Sequence, residues 1–129
     1  MTEKMGSWQY AKRCRTRNEN IVAMVNLEML GYYNDARGSQ DYPPVLKSIY
    51  PDTADFVAFA SNVGSGALTR RCAAAFRKSV RFPAEMAILP GVVPEVAWSD
   101  HWSFWEFDYG AIIVSDTAIS QVVMLARKA

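Results

Sequence analysis

The run Met24-Val25-Asn26-Leu27-Glu28-Met29-Leu30-Gly31-Tyr32 constrains this chain most, because it sets one carboxylate inside an apolar segment closed by a glycine. A carboxylate buried in such surroundings must be hydrogen-bonded, protonated or bound to a cation, since burying it bare is strongly unfavourable. Glu28 therefore requires a partner. The apolar residues before it and Gly31 after it predict a buried strand over residues 20–30, whose carboxyl end delivers Glu28 to a loop. Open α/β sheets place their chemistry at that end.

The chain has 129 residues, enough for one core and one domain. Half of them are hydrophobic and 21% are charged, the balance of a globular chain rather than a disordered one. A formal charge of +1 gives no broad attraction for nucleic acid. Lys12, Arg13, Arg15 and Arg17 form one basic cluster, which a solvated helix face explains equally well, and no nucleic-acid partner is expected. No apolar stretch approaches the ~20 residues that span a bilayer, and the N-terminus is too polar for a signal peptide, so no membrane partner is expected and the compartment stays open. Cys14 and Cys72 stand far apart without CxxC spacing, which suits buried free thiols better than a disulfide or a metal pair.

Taken in order, Trp8, Ala11 and Cys14 recur at helical spacing and predict a helix within residues 1–17. Residues 32–50, rich in Tyr, Asn, Asp, Gly, Ser and Pro, read as a long loop, and residues 55–63 as a second buried strand. Leu68, Cys72, Ala75 and Phe76 predict a helix over residues 65–80, with Arg70, Arg71, Arg77 and Lys78 on its solvated face. Between Pro83 and Pro90 only a short strand near an edge fits. Residues 91–97 read as a loop, Ser99 or Asp100 as the cap of a short helix through Phe107, residues 110–115 as the last strand, and residues 118–129 as a terminal helix.

Two clusters could carry chemistry: Glu28, and the block Ser99-Asp100-His101. His101 is the single histidine, so a zinc site made within this chain would need carboxylates for nearly all its ligands, and no HExxH or paired-Cys spacing is present. A histidine oriented by Asp100 or by backbone for structure alone is the plainer reading of His101. Ser99 beside His101 is not a triad, no GxSxG elbow occurs, and Gly64-Ser65-Gly66 lacks the lysine of a phosphate-binding loop.

Several blocks nevertheless occur in a telling order. They are Met5-Gly6-Ser7; the run from Asn20 through Asn26-Leu27-Glu28-Met29-Leu30-Gly31-Tyr32; Tyr50-Pro51-Asp52 with Asp55-Phe56-Val57; Ser99-Asp100-His101 with Phe104; and Asp116-Thr117-Ala118. Together they resemble the C-terminal half of two-zinc exopeptidases of the aminopeptidase Y and aminopeptidase S type, whose clan includes the glutaminyl cyclases. The likeness covers residues 1–118 as a partial catalytic domain and leaves residues 119–129 as a divergent tail.

The resemblance implies a three-layer α/β/α fold with a mixed central sheet, of which this chain holds the later strands. It implies that Glu28 is a zinc ligand, which would supply the cation its burial demands. Asp100 and His101 would lie beside the site, orienting ligands or lining the pocket for a peptide substrate. In such enzymes two zinc ions activate a water, and a glutamate serves as general base. The His-x-Asp pair and the Glu-Glu pair that includes that base belong upstream of the Met5-Gly6-Ser7 block, and a Tyr-His belongs beyond Ala118. Neither is found, so no catalytic residue is assigned. The abrupt loss of likeness after Ala118 is what a shifted reading frame or a truncated gene would produce. The chain is then expected to be a fragment of an aminopeptidase-like hydrolase, inactive alone and binding zinc poorly. The alternative is a non-catalytic interaction module, or a half-domain completed by a partner chain. Either way an exposed sheet edge predicts self-association.

Overall fold

The computed structural model describes residues 2–40, 47–90 and 99–116. In order these form α1 (Gly6–Thr16), β1 (Met24–Leu27), β2 (Val57–Asn62), a single 3-10 turn (Val63–Ser65), α2 (Gly66–Ser79), β3 (Ala84–Leu89), α3 (Asp100–Trp105) and β4 (Ala111–Ser115). The fold is α/β, as expected, built on an open mixed sheet of order β1-β4-β2-β3. Two parallel pairs, β1 with β4 and β2 with β3, are joined by the antiparallel contact of β4 with β2.

Side-chain alternation along β4 explains the layering. Ala111 packs into a cluster with Ala11 and Cys14 of α1 and Phe104 of α3, whereas Ile112 and Val114 join Val57, Phe59 and Ala73 on the opposite face. Helices α1 and α3 thus cover one face, and α2 covers part of the other. The Trp105 indole N–H donates to the Ala111 carbonyl at 2.9 Å, and the Tyr109 hydroxyl to the Glu19 carbonyl at 3.0 Å, fixing α3 and its exit against the first layer.

Helix α2 forms where its apolar stripe predicts. The Asn62 side chain accepts from the Ser65 N–H at 2.8 Å and so caps the entering turn. Gly66 lies close under Ile88: a Cβ there would come within 3.2 Å of the isoleucine Cγ2, so a larger residue would require Ile88 to give by a few tenths of an ångström. Arg70, Arg71, Arg77 and Lys78 are exposed, and Arg77 additionally reaches back to donate to the Ala84 carbonyl of β3. β3 is an edge strand, in keeping with its flanking prolines.

The strand expected over residues 20–30 is corrected. It shrinks to the four residues of β1, which sits at a sheet edge and alternates between half-buried and exposed positions. Met24 and Asn26 face the α1–α3 layer, while Val25 and Leu27 point to the other face, which α2 does not reach across, and remain 46% and 65% exposed. The loop expected over residues 91–97 and the terminal helix over residues 118–129 lie outside the described residues. No helix among the described residues is long and apolar enough to cross a membrane.

Candidate functional site

Because β1 and β4 run parallel, their carboxyl ends lie at one end of the sheet. The Glu28 N–H donates to the Val114 carbonyl at 3.0 Å, extending the ladder by one residue and placing the glutamate at the mouth of the β1–β4 pair. Asn26 projects on the α3 side, and its amide donates to the Ser99 hydroxyl at 2.7 Å. That hydroxyl in turn donates to Glu28 Oε2, and Asn26 Nδ2 lies 3.4 Å from the same oxygen. One serine oxygen thus accepts from an amide and gives its only proton to a carboxylate, which fixes the direction of the hydrogen-bond chain from Asn26 to Glu28.

Glu28 is exposed, not buried as the apolar run suggests. The physical reason is the short edge strand: once β1 ends at Leu27, the chain turns outward. Met29 (φ 51°) and Gly31 (φ 118°) both take left-handed conformations in this turn. Its partner is accordingly a pair of neutral donors.

Glu28 and Ser99 lie 71 positions apart in sequence and are joined by the serine's hydrogen bond, beside the one from Asn26, so the Asn26-Leu27-Glu28-Met29 and Ser99-Asp100-His101 blocks meet. Ser99 opens α3 at its N-cap position, yet its side chain makes no capping bond, being turned to Glu28 instead. Asp100 is exposed in the first turn of α3. His101 is buried, its ring standing edge-on to Trp105 with centroids 4.6 Å apart. Below it Ser103 and Ser7 share a hydrogen bond of 2.9 Å between α3 and α1.

Asp116 was not singled out for any role by its sequence, because an acid after a strand reads as turn chemistry. It is fully buried. Its carboxylate accepts from the Tyr32 N–H and its own N–H donates to the Met29 carbonyl at 3.3 Å, so the loop after β1 is wrapped around the end of β4. Gly31 makes that wrap possible. Nothing crowds a Cβ there, but its φ of +118° is strained for any other residue. Gly31→Ala is expected to destabilise the fold by on the order of 1–3 kcal/mol, read as a lower urea midpoint at unchanged slope.

Among the described residues, no three His, Cys, Asp or Glu side chains are gathered closely enough to hold a metal ion. Glu28 offers one oxygen donor that could serve as a ligand, with Asp100 and His101 on the adjoining helix, but these residues do not by themselves fit a complete zinc site. Both cysteines are free thiols: Cys14 is buried and Cys72 half-buried. Burial pushes the Cys14 thiol above its ordinary range, and the neighbouring Glu19 acts in the same direction.

No family model matches this chain. It is 35% identical over 118 residues to the uncharacterized protein YfbL of Escherichia coli strain K12, a match that takes in 91% of this chain and 36% of YfbL. The chain therefore spans about a third of the length of the curated relative it matches.

Proposed function

We propose that this chain is part of a two-zinc aminopeptidase-like hydrolase, to which it contributes Glu28 as one metal ligand, with Asp100 and His101 beside the site. The observation that carries this reading is the meeting of the Asn26-Leu27-Glu28-Met29 and Ser99-Asp100-His101 blocks through the Ser99–Glu28 hydrogen bond. A carboxylate at the end of a parallel strand pair, held on one oxygen by fixed donors and otherwise open, suits a ligand whose remaining partners come from elsewhere. The whole protein would remove N-terminal residues from peptides. This chain alone would hold zinc weakly and hydrolyse nothing, because catalytic zinc generally takes three protein ligands.

Purified chain dialysed against zinc is expected to retain well under one equivalent and to release no chromophore from aminoacyl-p-nitroanilides. Stoichiometric, tightly held zinc with turnover would overturn the claim of inactivity. The surrounding coding DNA gives an independent check on the ancestry: His-x-Asp and Glu-Glu encoded upstream, in any frame, support it.

A half-domain completed by another chain is favoured as a second reading by β1 itself, since no strand among the described residues pairs with its outer edge. Self-association through that edge would show as concentration-dependent elution in size-exclusion chromatography.

A further inference from the structure

The two edges of the sheet are built differently. On β3 the Val57 N–H is bonded to the Pro83 carbonyl, so the next carbonyl, that of Ala84, points outward, and Arg77 donates to it. Glu85 lies within that strand, and Pro83 and Pro90 flank it. Such features keep an edge from pairing with another strand. β1 has none of them, since residues 20–27 carry neither charge nor proline. Towards β4, the Met24 N–H donates to the Gly110 carbonyl at 2.9 Å and the Glu28 N–H to the Val114 carbonyl at 3.0 Å, so the even-numbered residues serve that ladder. The N–H and C=O groups of Val25 and Leu27 are therefore directed to the outer edge, where no strand among the described residues takes them. The side chains of the same two residues floor an apolar groove with Val114 and Phe59.

We propose that this edge pairs with β1 of a second copy, antiparallel about a two-fold axis through Asn26, a pairing that rests on the half-domain reading and supplies its partner. An antiparallel ladder sets outward-directed residues opposite outward-directed residues, so odd positions must meet odd positions. With Asn26 opposite the partner's Asn26, Val25 meets the partner's Leu27 and Leu27 the partner's Val25. Every N–H and C=O of these residues is then satisfied. An axis at Val25 would set Leu27 opposite Ala23, which lies outside the strand. An axis at Leu27 would set Val25 opposite Met29, whose φ of 51° takes the chain off the ladder. The Asn26 register also holds the two Glu28 carboxylates four positions apart, about 14 Å along the strands, so like charges do not meet. Val25 and Leu27 of both copies fall on one face and form a single apolar row that joins the two grooves. This edge is thus complementary to itself, and no charge on it selects a different sequence.

So short an interface belongs to the transient class, below about 1,200 Å² in total. Sedimentation velocity is expected to show monomer at micromolar concentration and dimer as the concentration approaches millimolar. Leu27→Lys, at a position 65% exposed in the single copy, should weaken dimerisation by roughly tenfold or more and leave the circular-dichroism spectrum unchanged. Register is read by mild oxidation in a Cys72→Ser background, where Cys14 is fully buried. Asn26→Cys would place two thiols on residues whose Cα atoms are about 4.5 Å apart, within disulfide reach, whereas Glu28→Cys would place them about 14 Å apart. The first should cross-link roughly tenfold faster or more. A monomer throughout the concentration range would overturn the proposal together with self-association through this edge. A dimer that persists in Leu27→Lys, or that cross-links equally through both positions, would overturn this pairing alone and leave the half-domain reading to another partner. Should Leu27→Lys unfold, the cross-linking comparison decides by itself.

Discussion

Shortening Ile112 to alanine is expected to remove about 2–5 kcal/mol of folding stability, the range for truncating a buried aliphatic side chain that leaves a cavity. Ile112 is fully buried in β4, an inner strand between β1 and β2, and packs in the cluster formed with Val57, Phe59 and Ala73. Domains of this size hold only about 5–15 kcal/mol in total, so the loss is a large fraction of the whole. Urea unfolding followed by circular dichroism should show a sharply lower midpoint with little change in slope. Val22, 83% exposed, is the control, and Val22→Ala should leave the midpoint nearly unmoved.

The second large effect is expected at Asp116. Replacing it with alanine deprives the Tyr32 N–H of its acceptor in a part-buried site, and an orphaned donor costs on the order of 1–3 kcal/mol, more where the lost partner was charged. The loss concentrates in the loop after β1, because that carboxylate is what holds the loop to the end of β4. Hydrogen exchange at the Tyr32 amide should accelerate more than exchange within β2 or β3. Asp116→Asn keeps a carbonyl acceptor of similar shape and should recover part of the protection. Equal protection at Tyr32 in Asp116→Ala and the unaltered chain would show that the carboxylate does not hold the loop.

What the sequence made legible follows how locally each feature is determined. Helix α2 was readable because the spacing of Leu68, Cys72 and Phe76 needs no knowledge of the rest of the fold. β2 was readable because residues 57–61 are buried on both faces and so form a continuous apolar and small-residue run. β1 misled for the same reason inverted: Met24, Val25 and Leu27 are apolar, but which face is covered depends on helices distant in sequence. Glu28 inherited that error, read as buried when its strand lies at an edge. Ser99 was readable as a helix start but not as the donor to Glu28, since a capping residue and a long-range hydrogen-bond donor are the same amino acid. Asp116 stayed hidden because its burial is created by the loop that folds over it.

The placement of β4 also dictates an order of events during synthesis. Among the described strands it is the last to be translated, yet it forms the seam between β1 on one side and the β2–β3 pair on the other. The β2–α2–β3 unit can assemble from neighbouring residues, whereas the strand that β1 joins among the described residues is not made until residues 111–115 have been translated, a closure over most of the sequence between them. A nascent chain arrested short of that point carries two unjoined parts, with β1 waiting for β4.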